Sequence, residues 1–241
     1  MAKIFITGST DGLGFLAAWM LLEAGHDVLL HARSQERADD LKRRLPAAKT
    51  VLVADLSDRD ATRKLAEELN GHGRMDTVIH NAGVYRADSL TIFMVNVLAP
   101  YILTALATKP KRLVYLGSNM HMQGSSEMSA FQDKGVGYSD SKLLVLMLAK
   151  AIARKWPDCY VNTVDPGWVP TKMGGPGAPD DLQEGVHTQV WLTSADEASF
   201  TGRYLFHMKM AKHSVKADDM VAQEQLLNRC REISGIRFPT E

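Results

Sequence analysis

Residues 3–17 read Lys-Ile-Phe-Ile-Thr-Gly-Ser-Thr-Asp-Gly-Leu-Gly-Phe-Leu-Ala, and this run decides the fold. A short apolar strand, Ile4 to Ile6, enters a loop with glycines at 8, 12 and 14 and leaves it as an apolar helix. Gly8 permits a sharp turn, Gly12 removes a side chain where backbone must approach a pyrophosphate, and Gly14 lets helix pack on strand. Phosphates meeting this helix start would find N–H groups and the positive end of the helix dipole. Ser9, Thr10 and Leu13 complete the candidate cofactor cradle. Glycines mark any tight turn, so the weight lies in their place between a first strand and a first helix.

Outward from this loop, short β-type runs alternate with helix-length segments. Strands are expected at Lys3–Thr7, Asp27–Ala32, Thr50–Ala54, Asp76–Asn81, Arg112–Ser118, Tyr160–Asp165 and around Arg203–Phe206. Helices are expected near 12–24, 35–45, 58–70, 88–107, 138–156, 180–193 and 216–234. Most strands are near-continuous apolar runs, as strands covered on both faces are. The alternation predicts a doubly wound, mostly parallel α/β sheet of about seven strands with helices on both faces. With no linker, repeat or low-complexity tract, residues 1–241 read as one domain.

Composition narrows the function. Lys+Arg and Asp+Glu both number 28, so nothing recommends nucleic acid or an anionic membrane as partner. The two cysteines, Cys159 and Cys230, have no CxxC spacing and read as free thiols. No histidine or cysteine grouping has metal-ligand spacing. The start is too short for a signal peptide, and Leu143–Ile152, broken by Lys150, reads as a core helix; a cytoplasmic protein is expected.

The spacing Gly-x3-Gly-x-Gly, in TGSTDGLG, resembles the TGxxxGxG loop of the short-chain dehydrogenase/reductase family, with its Rossmann fold and NAD(P)-dependent hydride transfer. The cofactor is a matter of charge. The second strand ends Leu30-His31-Ala32-Arg33-Ser34, with no carboxylate to accept a ribose 2′-OH and with an arginine suited to phosphate. Arg33, helped by Ser34 and Arg37, favours NADP. Asp11 dissents, because NADP-using relatives often carry a basic residue there, and NAD stays possible. The resemblance also implies that Asp55 and Leu56 meet the adenine. His80-Asn81-Ala82-Gly83 is similar to the family's NNAG segment, with Asn81, Ala82 and Gly83 against the cofactor and Asn81 chiefly a support.

Tyr138 and Lys142 are four residues apart and share one helix face. A free tyrosine, with a pKa of about 10, is a poor base at neutral pH, and an adjacent cation would lower that value. Tyr138 could then exchange a proton with a carbonyl or alcohol oxygen while hydride moves at carbon. In the family pattern, Ser118 holds the reacting oxygen; Ser125 and Ser126 compete for the role. Asn96 would hold a water relaying protons to the lysine; a satisfied core amide is its plain alternative. Pro166, Gly167, Val169 and Thr171 match the segment that lies along the nicotinamide.

The loops 119–137 and 171–180 follow strand ends and are open to reading as lids or as plain connections. Met120, Met122, Met128, Phe131, Trp168 and Met173 belong to the flanking loops and suggest an adaptable apolar pocket, or packing beneath them. His121 reads as pocket lining or surface, and Asp140 as a solvated charge. The tail around Arg203–Phe206 resembles retinol-dehydrogenase-like members and hints at an apolar carbonyl or alcohol. The helices over 88–107 and 138–156, apolar on much of their surface, make a homo-oligomer plausible. A catalytically silent NAD(P)-binding regulator is the rival reading, against which the Ser118/Tyr138/Lys142/Asn96 set argues.

Overall fold

The computed structural model describes residues 1–127 and 135–239; Met128 and Phe131 of the expected pocket lie outside them. Strands β1 (Lys3–Ile6), β2 (Asp27–Ala32), β3 (Thr50–Val53), β4 (Thr77–His80), β5 (Arg112–Leu116), β6 (Tyr160–Asp165) and β7 (Arg203–Phe206) run parallel. The sheet order is β3-β2-β1-β4-β5-β6-β7-β8. The eighth strand, β8 (Lys209–Met210), is antiparallel to β7 and too short and polar to read from sequence. Its hairpin places His207 and Met208 at positive φ, 47° and 61°, a rare conformation for residues with a Cβ.

Alternate residues of β1 serve opposite cores, as a period of two requires. Ile4 and Ile6 face α1 (Gly12–Glu23), α2 (Gln35–Arg44) and α7 (Leu182–Ser194), whereas Phe5 joins the core beneath α3 (Arg59–Gly71) and α6 (Tyr138–Lys155). A last helix, α8 (Met220–Ser234), packs on α6 and stops at Gly235, whose φ of 72° makes the left-handed cap.

The helix expected over 88–107 forms in three pieces: α4 (Ser89–Phe93), a π turn at Met94–Leu98, and α5 (Ala99–Leu106). Pro100 supplies a reason. It has no N–H to donate to the Asn96 carbonyl four residues back, and its ring crowds that carbonyl. The whole run is apolar and long enough to cross a membrane, yet two-thirds of it is buried inside the protein, as a core helix is. Cys159 and Cys230 are buried free thiols.

The chain travels from β1 outward to β3, then returns to β4 on β1's other side. Ligands in open α/β sheets bind at such a reversal, outside the carboxyl ends of the strands.

Candidate active site

A cleft of about 390 Å³ opens at that reversal. It is walled by the glycine loop, by Arg33, Arg37 and Asp55 at one end, and by Tyr138, Lys142 and Met173 at the other. The backbone is drawn so close that side chains would not fit. A Cβ at Gly14 would stand 2.3 Å from both the Asn81 amide nitrogen and the Gly8 carbonyl oxygen. The Asn81 amide donates to the carbonyls of Thr7 (3.0 Å) and Gly8 (3.1 Å), so it staples the end of β4 to the loop.

His31 was not among the residues singled out, and it holds the loop from below. Its Nδ1 accepts from the Gly8 N–H (3.0 Å), and its Nε2 lies 2.9 Å from the Ala54 carbonyl. These partners require a neutral ring with the proton on Nε2. Burial enforces it, lowering the imidazole to about 4 against the carbonyl of Ala54 and the charge of Asp55. The available signal was a polar residue inside an otherwise apolar strand, which must find partners.

Ser9 turns its side chain inward. It is fully buried; its hydroxyl donates to the Ile6 carbonyl (2.6 Å) and accepts from the His31 N–H (3.2 Å), so it braces the loop from behind. Ser34 likewise caps α2, accepting from the Arg37 N–H. Asp55 spends one oxygen on the Ser57 amide and hydroxyl, while Leu56 lines the cleft beside it.

Arg33 and Arg37 stand exposed at the cleft mouth, Arg37 reaching the Thr10 hydroxyl (3.1 Å). Asp11, the dissenting acid, caps α1 and is ion-paired with Lys172 from the segment after β6. Partial burial works against its ionisation, but Lys172, the Gly12 amide and Arg37 outweigh it and hold the carboxyl below its usual range.

At the other end, Gly137 begins α6, and Asp140 accepts from the Gly137 N–H (3.0 Å) and the Ser125 N–H (2.8 Å). Asp140 is therefore a tether that fixes where α6 starts, not a solvated charge. Ser125 gives its amide to this cap and its hydroxyl accepts from the Glu127 amide; the hydroxyl beside Tyr138 is that of Ser118, which also accepts from the Met120 amide (3.2 Å).

Tyr138 differs from expectation. Burial pushes the phenol up to about 12; the neighbouring Ser118 hydroxyl lowers it, while Asp165 and Tyr85 add to the rise. Lys142 is buried, stands 5.4 Å over the Tyr138 ring, and donates to the Leu116 carbonyl at the end of β5 (2.7 Å). Burial lowers its ammonium to about 8, with Asp165 opposing. The cation is thus held ready, but burial of the phenol is the larger influence in the protein by itself. The Tyr138 hydroxyl faces the Met173 sulfur at 3.9 Å, and Tyr85 packs edge-on against its ring at 4.8 Å.

The Asn96 side chain is a satisfied amide. Its oxygen accepts from Val84 N–H (2.8 Å), and its nitrogen donates to the Val84 carbonyl and the Ser141 hydroxyl. It lies close to Gly83, as Lys142 does, and a Cβ at Gly83 would stand 3.4 Å from the Asn96 oxygen and 3.6 Å from the Lys142 Nζ. His121 proves fully buried, neither pocket nor surface: Nε2 accepts from Ser214 N–H (3.1 Å), so Nδ1 donates to the Ser118 carbonyl (2.7 Å).

Segment 166–181 folds back on itself. Gly167, at φ 79°, turns the chain, and Trp168 donates its backbone N–H to Asp180 and its ring N–H to the Gly174 carbonyl (2.8 Å). Pro166 and Thr171 reach the cleft, whereas Val169 is buried against Gly185 of α7 and does not line it. Met120, Met122, Trp168 and Met173 are exposed.

A family model for short chain dehydrogenases matches residues 2–181. The chain belongs to that family. It is 41% identical to the short-chain dehydrogenase chry4 of Gibberella zeae over the whole of both chains. It is 28% identical to human retinol dehydrogenase 14, over 92% of this chain and 83% of that one. A Pseudomonas aeruginosa RhlG/NADP active-site complex shares the fold, with a TM-score of 0.70 and 23% identity over 85% of this chain and 94% of that one. As a member, the protein is an NAD(P)-dependent oxidoreductase.

Proposed function

We propose that this single-domain chain is an NADP-dependent carbonyl reductase or alcohol dehydrogenase for a small apolar aldehyde, ketone or secondary alcohol. One observation carries the reading: Tyr138, with the Ser118 hydroxyl beside it, and Lys142 stand at one end of a cleft whose other end carries Arg33 and Arg37. Bound there, the nicotinamide supplies hydride exchange at its C4 and, when oxidised, a positive charge. The chain's own groups do the rest. The Ser118 hydroxyl holds the reacting oxygen by hydrogen bonding. Tyr138 donates its proton to that oxygen on reduction and recovers one on oxidation. Lys142 lies close enough to the phenol to stabilise its anion once formed, and its Nζ borders Gly83, where the cofactor's ribose would run. Asn96 contributes through what it holds; its side chain fixes Val84 and Ser141, and Pro100 denies its carbonyl the usual helical donor, so the proposed water belongs on that carbonyl.

NADP is preferred because Lys172 neutralises Asp11, leaving Arg33 and Arg37 to meet a 2′-phosphate. The RhlG complex, with NADP in a like fold, agrees with that reading. The exposed Met120, Met122, Trp168 and Met173 and the likeness to retinol dehydrogenase 14 support an apolar substrate. A neutral chain whose long apolar helix is packed inside supports a cytoplasmic enzyme without membrane or nucleic-acid partners, and the apolar α4–α5 and α6 surfaces are the candidate self-association face.

The test is Tyr138→Phe. NADPH oxidation over a panel of apolar carbonyls should fall by about 10³-fold, within the range for a lost general acid. Calorimetric affinity for NADP should stay within about twofold of wild type and exceed that for NAD. Retained turnover, or tighter NAD, defeats the corresponding half of the proposal.

A further inference from the structure

On β6, beside the strand whose Leu116 carbonyl anchors Lys142, lies a second buried charge. Asp165 is the last residue of β6 and only 5% exposed. Each of its oxygens receives a donor: Oδ1 the Gly167 N–H (3.0 Å), Oδ2 the Tyr204 hydroxyl of β7 (2.9 Å). Two donors and no acceptor are the partners a carboxylate wants. The register brings it to the reacting groups. Leu116, whose carbonyl anchors Lys142, pairs with Val164, and the next amide, Gly117 N–H, donates to the Val164 carbonyl (2.7 Å). Gly117 also lies so close to Tyr204 that a Cβ there would come within 3.2 Å of its ring.

We propose that Asp165, anchored by Tyr204 and the Gly167 amide, is the buried counter-charge of the Tyr138–Lys142 pair, a positioning residue that sets how tightly both hold their protons. The inference rests on the function proposed above. Its physics is simple: burying Lys142 disfavours the ammonium, and a nearby carboxylate offsets that cost. The same charge discourages loss of the Tyr138 proton. Asp165 indeed raises both groups, and it acts on His121 in the same sense.

The other groups around this centre are few. From α6 come Tyr138 and Lys142; from β7, Tyr204, held protonated by burial and by Asp165 itself. His121 packs at a tilt against Tyr204 from the turn after β5, and His213 lies on Tyr204 as well, engaged with Asp218. Tyr85 packs edge-on against Tyr138, and Asp180 caps the Gly167 turn. Among the described residues, Asp165 is the one carboxylate that acts on both Tyr138 and Lys142.

The consequence has one sign. Removing the charge lets both protons leave at lower pH. The experiment is NMR titration of the lysine side chains in selectively labelled full-length protein, with Lys142→Met identifying the Lys142 signal. Lys142 should titrate near 8 in wild type. Asp165→Asn should move it down by about one pH unit, the scale of a close buried charge. Asp165→Ser, smaller and also neutral, should give the same shift and keeps the test alive if Asn does not fold. In carbonyl reduction, the alkaline fall in rate should move to lower pH by a similar amount. A loss of rate with an unmoved Lys142 titration in both variants would leave Asp165 a mere turn-former and overturn the proposal. The titration needs no substrate, so it stands even if Tyr138→Phe retains activity and the functional reading fails.

Discussion

The two ends of the cleft handle charge in opposite ways. At the Arg33–Arg37 end the arginines stand in solvent, and the acid among them, the partly buried Asp11, is matched by a more exposed Lys172. At the Tyr138–Lys142 end, Lys142, Asp165 and Tyr204 are all buried, and each depends on a named partner. Exposed charges are inexpensive and screened by salt, so they suit choosing between two cofactors. Buried charges are costly and shift the proton affinities of their neighbours, so they suit moving a proton. The exposed end should therefore answer to salt and the buried end to pH.

The largest effect expected belongs to the buried end. Lys142→Met removes the cation that stands over the Tyr138 ring and breaks the bond to the Leu116 carbonyl. Turnover should drop by at least ~10²-fold, the lower bound for a lost proton-transfer group. The loss should be the same at low and at high salt. A salt-dependent loss would mean that this end is wetter than its packing implies.

Next comes stability in acid. His31 is held at about 4 and His80 at about 3, both by burial, against an ordinary value near 6.5. A depressed value means that the unfolded chain takes up protons that the folded chain refuses. Their contribution is intact above about 6.5 and is lost as pH falls toward 4. Each such proton makes stability fall by about 1.4 kcal/mol per pH unit. Urea unfolding between pH 7 and 5 should show this slope, and His80→Asn should remove about half of the part due to the pair. An unchanged slope would mean that His80 is not the neutral buried group that its stacking on Tyr115 and contact with Thr104 describe.

How far the sequence reveals each end follows the same division. The glycine loop, the strand–helix alternation around it and the Tyr138-x3-Lys142 spacing are legible because they are local: a turn, a period, one helical face. Asp165 escapes because its meaning depends on Tyr204, 39 residues away, and on a register that no local pattern states. His31 escapes because a histidine in a strand does not name Gly8 and Ala54 as its partners. For Ser9 and Ser34 a motif gives the position and not the direction of the hydroxyl, which is inward for one and onto a helix cap for the other. The π turn at Asn96 had a visible cause in Pro100, but helix periodicity does not register one widened turn.

At the exposed end, effects should be smaller and screened. Arg33→Ala should weaken NADP by about tenfold at low salt, one charge-assisted contact, and NAD hardly at all. The preference should shrink as salt rises.

The smallest effect tests the pairing that cancels Asp11. Lys172→Ala leaves that carboxylate at the loop with Arg37 as its remaining cationic neighbour. The ion pair itself, largely in water, is worth well under about 1 kcal/mol to stability, so the melting temperature should barely move. Selectivity is the better gauge. A restored negative charge repels a 2′-phosphate and not a 2′-hydroxyl, so NADP affinity should fall about threefold while NAD affinity holds. Asp11→Asn in the same background should reverse that loss, since the repulsion has lost its source. If Lys172→Ala instead weakens both cofactors equally, the residue acts through the fold of segment 166–181 over the cleft and not through Asp11. The salt dependence of the threefold change separates these outcomes, because a Coulombic effect fades with ionic strength and a conformational one does not.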